Sequence, residues 1–173
     1  MAKIYSIINQ KGGVGKTTTT INLGTAMAAC GANVLIIDMD PQGNLSTGMG
    51  VEKVKREKGV YNILIDNLSI NDAVIKTEIP NLNLIPSNED LLGIDIELSN
   101  ESDRVMRLKK ALEDLNSYDY ILLDCPPSLS LLTLNALVAS TGALVPLQAE
   151  FYALEGLSQL LKTIEDIKNS VNH

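Results

Sequence analysis

The strongest constraint on the fold is a glycine-rich segment that lies between a short apolar run and a stretch of helix-forming residues. The apolar run covers residues 4–8 and stops at a polar pair, which is typical of a buried parallel strand. Residues 10–18 then read QKGGVGKTT, residues 15–30 favour a helix, and Gly31 follows where a helix cap belongs. Glycines at such a place let successive backbone N–H groups converge on one anion, so the segment predicts a phosphate-binding loop.

Two lysines and a threonine give the loop its expected chemistry. Lys16 is predicted to neutralise the β- and γ-phosphates of a nucleotide, and the Thr17 hydroxyl to ligate Mg²⁺. The pattern departs from G-x-x-x-x-G-K-[ST] because Gln10 stands where the first glycine belongs, while Lys11 adds a second cation. A glycine-rich turn with two exposed lysines is the alternative, and the flanking strand and helix favour the phosphate loop over it. The predicted nucleotide-binding residues are Lys11, Gly12, Gly13, Val14, Gly15, Lys16, Thr17 and Thr18.

Further apolar runs alternate with helical patterns along the chain. Residues 33–38 and 118–124 read as buried strands that each end in an aspartate, residues 143–147 as another strand, and residues 74–77 and 82–85 as strand candidates. Strands that alternate with helices predict an α/β fold: a mainly parallel, twisted sheet with helices on both faces, in a Rossmann-like three-layer arrangement. Ligands of such sheets bind at the carboxyl ends of the strands.

Several helical and surface segments are predicted from periodicity and charge. Residues 102–116 form an amphipathic pattern, with Val105, Leu108, Leu112 and Leu115 inward and with Arg104, Arg107, Lys109 and Lys110 mostly outward. Residues 154–167 predict a final helix whose apolar spacing is Leu157, Leu160, Leu161 and Ile164. Residues 51–58 form a mixed-charge surface stretch. With 173 residues, we expect one domain over 1–173.

Composition excludes several classes of function. The chain has one histidine, His173, which argues against Ser-His-Asp or Cys-His catalysis and against histidine-ligated metals. Its two cysteines, Cys30 and Cys125, provide neither a disulfide framework nor a four-ligand zinc site, and Asp124 opposes a thiolate at Cys125. The formal net charge of −7 gives no global positive field for nucleic acid. Without a signal-like start or about 18 consecutive apolar residues, we expect a cytoplasmic protein and no membrane partner.

The segment NQKGGVGKTTT, at residues 9–19, resembles the deviant Walker A motif of the ParA/Soj chromosome and plasmid partitioning ATPases. Their wider family includes the MinD division-site proteins. The resemblance implies a P-loop NTPase fold that binds ATP and Mg²⁺. It also implies that Lys11 reaches across a dimer to the nucleotide held by the other subunit, much as an arginine finger supplies charge from a partner.

Two further segments extend the resemblance and imply roles for three carboxylates. Residues 38–44, DMDPQGN, are similar to the switch I segment of the family, in which Asp40 would orient and polarise the attacking water and Asp38 would lie near the water shell of the magnesium. Asp38 alone could equally be a strand-end acid that caps neighbouring N–H groups. Residues 121–137 resemble the Walker B and switch II segment, in which Asp124 would hold Mg²⁺ through water. The implied catalytic residues are thus Lys11, Lys16 and Asp40, and the implied metal residues are Thr17, Asp38 and Asp124.

Family resemblance also implies how such a site would work. It implies a weak ATPase that dimerises with ATP, acts with a ParB-type partner and binds DNA without sequence preference at the nucleoid. The charge of −7 does not favour DNA binding by this chain, whose scattered candidates are Lys53, Lys55, Arg56, Lys58 and residues 104–110. We expect the chain to be short at its C-terminal end relative to the family. The alternatives are a nucleotide-binding or inactive truncated chain without productive turnover and, less favoured, a MinD-like division-site ATPase.

Overall fold

The computed structural model of the chain describes residues 2–113, 115–148 and 153–170. His173 and the middle of the segment 146–157, which the sequence assigned to the end of a strand and the start of a helix, lie outside the described residues. Within the described part, none of the helices is both long and apolar enough to cross a membrane.

A six-stranded sheet organises the described residues, with the strand order β3-β4-β2-β5-β1-β6. All the strand pairs are parallel except β3 with β4, which is antiparallel and lies at one edge. The mainly parallel sheet predicted from the alternating pattern is therefore confirmed. The strands are β1 Lys3–Ile7, β2 Val34–Asp38, β3 Ile75–Lys76, β4 Leu82–Ile85, β5 Tyr120–Asp124 and β6 Gly142–Leu144.

Helices connect the strands and cover the sheet. Two of them are long: α1, which follows the glycine-rich loop, and α8, the last described element. Short 3-10 turns lie at Lys53–Lys55 and Glu89–Gly93. The helices are α1 Lys16–Ala29, α2 Asn44–Gly48, α3 Val60–Ile65, α4 Ile70–Ala73, α5 Ile94–Glu97, α6 Arg107–Leu112, α7 Leu131–Ala139 and α8 Ala153–Ser170.

Successive residues of the central strands supply two separate cores, one on each face of the sheet. Along β2, Leu35 and Ile37 belong to the core formed with α3, α6, α7 and α8, whereas Val34 and Ile36 belong to the core formed with α1 and α2. All four are fully buried. A strand covered on both faces gives a continuous apolar run because side chains alternate between the faces. The three-layer arrangement predicted from the sequence is thus confirmed.

Helix α1 packs on the sheet through small residues. Its buried positions in the apolar core are Thr20, Gly24 and Ala28, one on each turn. A Cβ atom at Gly24 would lie 3.0 Å from Ile36 Cγ2, so the helix approaches the sheet closely where a glycine stands. The larger residues Ile21, Leu23 and Met27, which the sequence placed on this face together with Ala28, are partly buried and pack against the same core.

Three segment predictions need correction. The helix expected over 102–116 is limited to α6, because residues 102–106 form turns. Arg107, predicted outward, has only 13% of its side chain exposed and donates to the Leu64 carbonyl oxygen at 2.7 Å. In α8, Leu160 is buried as expected, but Leu161 is 54% exposed.

The charged stretch 51–58 also differs from the prediction. Lys53, Lys55 and Lys58 are exposed, as a surface segment requires. Val51 and Arg56 are buried, with 8% and 5% of their surface accessible. Arg56 is therefore not available to DNA phosphates, contrary to its place among the surface candidates.

Candidate functional site

The glycine-rich loop between β1 and α1 is shaped by its backbone. Gly13 and Gly15 have φ angles of 74° and 91°, in the left-handed region that glycine adopts without strain. Gly15 is the N-cap residue of α1, so the unpaired N–H groups of the first helical turn face the loop. Asn9 ties the start of the loop down, because its Oδ1 accepts from Lys11 N at 2.9 Å and its Nδ2 donates to the Pro146 oxygen at 2.8 Å. No feature of the sequence predicts this anchor.

Lys16 brings a cation into a largely enclosed position. The residue is 7% exposed, and its Nζ donates to the Lys11 carbonyl oxygen at 3.1 Å. Burial lowers the pKa of Lys16, and the carboxylates of Asp124 and Asp40 oppose that shift. The ammonium group of Lys16 therefore interacts electrostatically with Asp124 and Asp40, two of the three acids that the sequence assigned to the site.

Asp124, at the end of β5, contacts the start of α1. Its Oδ2 accepts from Thr17 Oγ1 at 2.7 Å, and its Oδ1 accepts from Thr20 Oγ1 at 3.3 Å. Burial raises the pKa of Asp124 to about 7, and the two threonine hydrogen bonds offset that effect in part. The structure thus joins Thr17 and Asp124, two residues 107 positions apart that the sequence assigned to one metal.

Asp38, at the end of the neighbouring strand β2, is held differently. It is fully buried, and its Oδ2 accepts from Ser46 N at 2.8 Å and from Ser46 Oγ at 2.6 Å. Its Oδ1 accepts from Asp40 N at 3.2 Å. Burial raises the pKa of Asp38 and these hydrogen bonds oppose the shift. The contacts are those of a strand-end acid that caps neighbouring N–H groups, and a role near magnesium stays a prediction.

Asp40 begins a tight turn that we call the Asp40 turn, residues 40–43. Gly43 N donates to the Asp40 carbonyl oxygen at 2.9 Å and Gln42 N to Asp40 Oδ1 at 2.9 Å. Pro41 occupies the second position, where its fixed φ suits a turn, and Gly43 has a φ of 65° that favours glycine. The turn leads directly into α2 and presents Asp40 opposite the glycine-rich loop.

A cleft of about 590 Å³ separates the loop from the Asp40 turn. Asp38 and Asp124 end the two central strands in register below the cleft. Of the predicted residues, Val14, Asp38 and Asp124 are buried and Lys11 is exposed on the loop, and none of these four is among the lining residues. Leu92, Asn44 and the pair Pro127 and Ser128 line the cleft without having been predicted, since no ligand chemistry marks them in the sequence. The lining residues are Gly12, Gly13, Gly15, Lys16, Thr17, Thr18, Asp40, Pro41, Gln42, Asn44, Leu92, Pro127 and Ser128.

The side chains at the cleft suit a metal ion that is coordinated mainly by a bound polyphosphate and water. Within the described ranges, no group of three His, Cys, Asp or Glu side chains could hold a metal ion. Thr17 and Asp124 supply one hydroxyl and one carboxylate, 2.7 Å apart. Mg²⁺ commonly takes one or two such protein ligands and completes its shell with phosphate oxygens and water. The residues present therefore fit a magnesium ion that arrives with a polyphosphate.

Comparisons with known proteins find a matching family model and similar relatives. A family model described as an AAA domain matches residues 2–173. The chromosome partitioning protein ParA of Caulobacter vibrioides is 53% identical over 173 residues, which are 98% of this chain and 65% of that protein. The sporulation initiation inhibitor protein Soj of Bacillus subtilis is 51% identical over 99% of this chain and 68% of its own length. The chain thus spans about two thirds of the length of these relatives.

Solved structures share the fold. The crystal structure of cobyrinic acid a,c-diamide synthase from Mycobacterium smegmatis superposes with a TM-score of 0.94 at 39% identity. The match covers 99% of this chain and 70% of that one, which contains bound ADP and magnesium. The sheet, its helices and the loop between β1 and α1 therefore belong to an architecture that holds a magnesium nucleotide in at least one relative.

Proposed function

Because the chain belongs to the ParA/Soj family of chromosome partitioning proteins, we propose that it binds ATP with Mg²⁺ in this cleft and hydrolyses the terminal phosphate. One observation carries the proposal. Thr17 donates to the buried carboxylate of Asp124, and Thr17, Lys16 and Asp40 all line the cleft. Phosphoryl transfer to water requires a phosphate loop, a pair of side chains that holds the metal ion, and a carboxylate that faces them.

The loop would bind the phosphates through its backbone. Gly13 and Gly15 hold left-handed conformations, and the first turn of α1 adds unpaired N–H groups and the positive end of its dipole. Lys16 adds a full positive charge in a place where burial has removed much of the competing water. Charge-assisted hydrogen bonds of this kind are stronger than neutral ones, so Lys16 would contribute most of the phosphate affinity.

Thr17 and Asp124 would hold the magnesium. The bound ion would neutralise charge that develops on the phosphate oxygens. Thr17 Oγ1 now donates to Asp124, and a hydroxyl can rotate to turn a lone pair toward a cation while the carboxylate stays in place. The carboxylate at the end of β5 and the hydroxyl at the start of α1 thus form a site between two rigid elements.

Asp40 would orient the attacking water. Its Oδ1 accepts from Gln42 N, which fixes the carboxylate relative to the turn, and the residue lines the cleft opposite the phosphate loop. Phosphoryl transfer relies on positioning and charge stabilisation more than on proton removal, so a carboxylate that positions the water suffices. Asp40 is thus the proposed catalytic carboxylate. Lys16, on the opposite side of the cleft, would stabilise the phosphate.

The proposal extends to a dimer and to a partner protein. Lys11 is exposed on the phosphate loop, where a second subunit can be reached. We propose that ATP promotes a homodimer in which Lys11 contacts the partner's nucleotide, and that a ParB-type protein stimulates turnover. Lys11→Ala would then weaken the ATP-dependent dimer more than it weakens ATP binding, as measured by light scattering of the nucleotide-bound chain at several concentrations.

The decisive experiment measures binding and turnover separately. Calorimetric titration with ATP and Mg²⁺ gives the affinity, and phosphate release with and without a ParB-type protein gives the rate. Asp40→Ala should leave the affinity nearly unchanged and abolish phosphate release. Asp72→Ala, an exposed carboxylate on α4, is the matched control and should change neither. Binding without any phosphate release by the parent chain would favour a nucleotide-binding module instead, and equal loss of ATP affinity in the Asp40 and Lys16 variants would contradict their separate roles.

A further inference from the structure

A buried guanidinium group lies behind the Asp40 turn. Arg56 is 5% exposed, and its Nε and Nη2 donate to the Val51 carbonyl oxygen at 3.1 and 2.6 Å. Its Nη1 donates to the Gly43 carbonyl oxygen at 3.2 Å, and Nη2 also donates to Thr47 Oγ1 at 2.8 Å. These described hydrogen bonds all go to neutral oxygens, so the arginine is held by backbone and hydroxyl groups of one short segment.

These contacts fix the two ends of α2 relative to each other. Gly43 precedes the helix and Val51 follows it, and the planar guanidinium group offers its donors in a rigid fork. A Cβ atom at Gly43 would clash with Arg56 Nη1, so the guanidinium group packs directly on the backbone that closes the Asp40 turn. Movement of the turn would therefore break hydrogen bonds of a buried cation.

Ser87 holds the same turn from a second direction. This serine follows β4 and is 1% exposed. Its Oγ donates to the Asp40 carbonyl oxygen at 2.5 Å, and its N donates to Ser46 Oγ at 3.2 Å. Ser46 in turn donates to Asp38, so the ends of β2 and β4 and the start of α2 are joined by one buried chain of hydrogen bonds. The backbone of Asp40 is tied to the sheet through it.

We propose that Arg56 and Ser87 are positioning residues, which hold the Asp40 turn at the distance from the phosphate loop that water attack requires. Neither residue is among those that line the cleft, so both act through the backbone of residues 40–43. The proposal rests on the proposed ATP hydrolysis for its functional consequence. The restraint of the turn itself does not depend on that activity, because its contacts lie entirely within the chain.

The consequence should fall on turnover rather than on binding. The phosphate loop takes its shape from its own glycines and from α1, and neither Arg56 nor Ser87 contacts it through the described hydrogen bonds. A displacement of about 1 Å in a reacting group can cost a factor on the order of 100 in rate. Loosening the turn therefore lowers the rate while the affinity for ATP stays close to that of the parent chain.

Three variants of the full chain test the proposal. Arg56→Met removes the fork at similar length, Ser87→Ala removes one oxygen, and Lys55→Met changes an exposed cation beside Arg56 as the matched control. Circular dichroism checks folding, and Ser87→Ala decides the question where Arg56→Met does not fold. We expect kcat of phosphate release to fall roughly 10- to 100-fold in the first two variants, with the ATP dissociation constant within about threefold, and no change in the control. Unchanged kcat, or loss of ATP affinity in step with kcat, overturns the proposal.

Hydrogen exchange of the nucleotide-free chain separates this proposal from the proposed function. Backbone amides of residues 40–50 should exchange at least about tenfold faster in Arg56→Met and Ser87→Ala than in the parent chain and in Lys55→Met. Faster exchange in a chain that proves not to hydrolyse ATP means that the restraint is real and that the proposed function is wrong. Unchanged exchange overturns the restraint whatever the hydrolysis assay gives.

Discussion

The two walls of the cleft are built in different ways. The phosphate loop is shaped mainly by a single run of sequence, because left-handed glycines and the start of α1 fix its backbone, while a remote contact from Asn9 to the Pro146 oxygen anchors its start. The Asp40 turn is also closed by a glycine, but its place is set by Arg56 and Ser87, which lie 13 and 44 or more residues away from it. Binding of phosphate should therefore tolerate distant substitutions, whereas alignment of Asp40 should not.

The two strand-end carboxylates below the walls differ in the kind of donor that holds them. Asp38 and Asp124 are partners in register across β2 and β5. Asp38 accepts two backbone N–H groups and a hydroxyl, and backbone donors cannot turn away. Asp124 accepts only from the hydroxyls of Thr17 and Thr20 among the described contacts, and hydroxyls rotate freely. The contacts of Asp124 can therefore be exchanged for an incoming ion more easily than those of Asp38.

The largest expected effect is loss of phosphate binding in Lys16→Ala. Hydrogen bonds to charged groups contribute about 1.5–3 kcal/mol each, so removal of this cation should weaken ATP binding by about 100-fold or more. Calorimetric titration measures the affinity, and Lys76→Ala, which removes an exposed lysine from the edge strand β3, should bind ATP like the parent chain. Tight ATP binding by Lys16→Ala would mean that backbone amides alone suffice on this wall.

The second prediction compares the two carboxylates through variants in which each aspartate is replaced by asparagine. In Asp124→Asn, the hydroxyls of Thr17 and Thr20 can turn to accept from the new NH₂ group. In Asp38→Asn, the NH₂ group faces a backbone N–H whichever way it turns, and an unsatisfied buried donor costs about 1–3 kcal/mol. We therefore expect metal-free Asp124→Asn to be more stable than Asp38→Asn by about that amount at pH 8, as measured by urea denaturation with a chelator.

The pH dependence gives an independent check on Asp124. Its folded pKa of about 7 lies above its ordinary value of 3.8, so its contribution to stability is fully present below about pH 4 and is lost as the pH rises through 7. Asp124→Asn keeps a neutral group at every pH. The stability of the variant relative to the parent chain should therefore rise between pH 5 and pH 8. A difference that does not change with pH would show that the parent carboxylate is already charged throughout.

The sequence predicts the phosphate-loop wall well because its causes are local. An apolar run, glycines at positions that need a left-handed backbone, and helix-forming residues from Lys16 onward lie next to one another in the chain. The mainly parallel sheet follows from the same reasoning, since continuous apolar runs indicate strands covered on both faces. Asp40 was found through its resemblance to a switch segment, and its assigned role stays a prediction.

The supports of the Asp40 turn could not be predicted from the sequence, because their causes are not local. Arg56 lies in the charged stretch 51–58, where nothing in the pattern distinguishes it from three exposed lysines. Ser87 lies after β4 in a segment without a motif, and its partner Asp40 is 47 residues away. Burial of a polar side chain depends on which acceptors the fold brings to it, and periodicity does not contain that information.

Two glycines with the same backbone conformation provide the third prediction. Gly43 and Gly50 have φ angles of 65° and 78°, but a Cβ atom would meet Arg56 only at Gly43 and nothing within 4 Å at Gly50. Alanine at either position costs roughly 1 kcal/mol for the left-handed backbone. Gly43→Ala should cost about 1 kcal/mol more, because the guanidinium group must move. It should also reduce phosphate release, whereas Gly50→Ala should not.

Thermal melting and phosphate release on the two alanine variants test that prediction together. Equal destabilisation of the two variants would show that the Arg56 guanidinium group moves aside with no loss of stability. Equal turnover in Gly43→Ala, Gly50→Ala and the parent chain would show that the position of residues 40–43 is not limiting. Either result would remove the contrast between a locally fixed wall and a remotely supported one.

The smallest effect is expected from a charge that lies near the turn without holding it. Lys53 Nζ is 2.7 Å from Glu89 Oε1, with 77% and 73% of the two side chains exposed. Both residues border a hollow of about 400 Å³ that Arg56 and Gln42 also line, behind the Asp40 turn. Exposed ion pairs contribute little because water and salt screen them. Lys53→Ala should therefore match the parent chain in melting temperature and in phosphate release at physiological salt. A clear fall in turnover would mean that surface charge, and not buried hydrogen bonds alone, sets the position of Asp40.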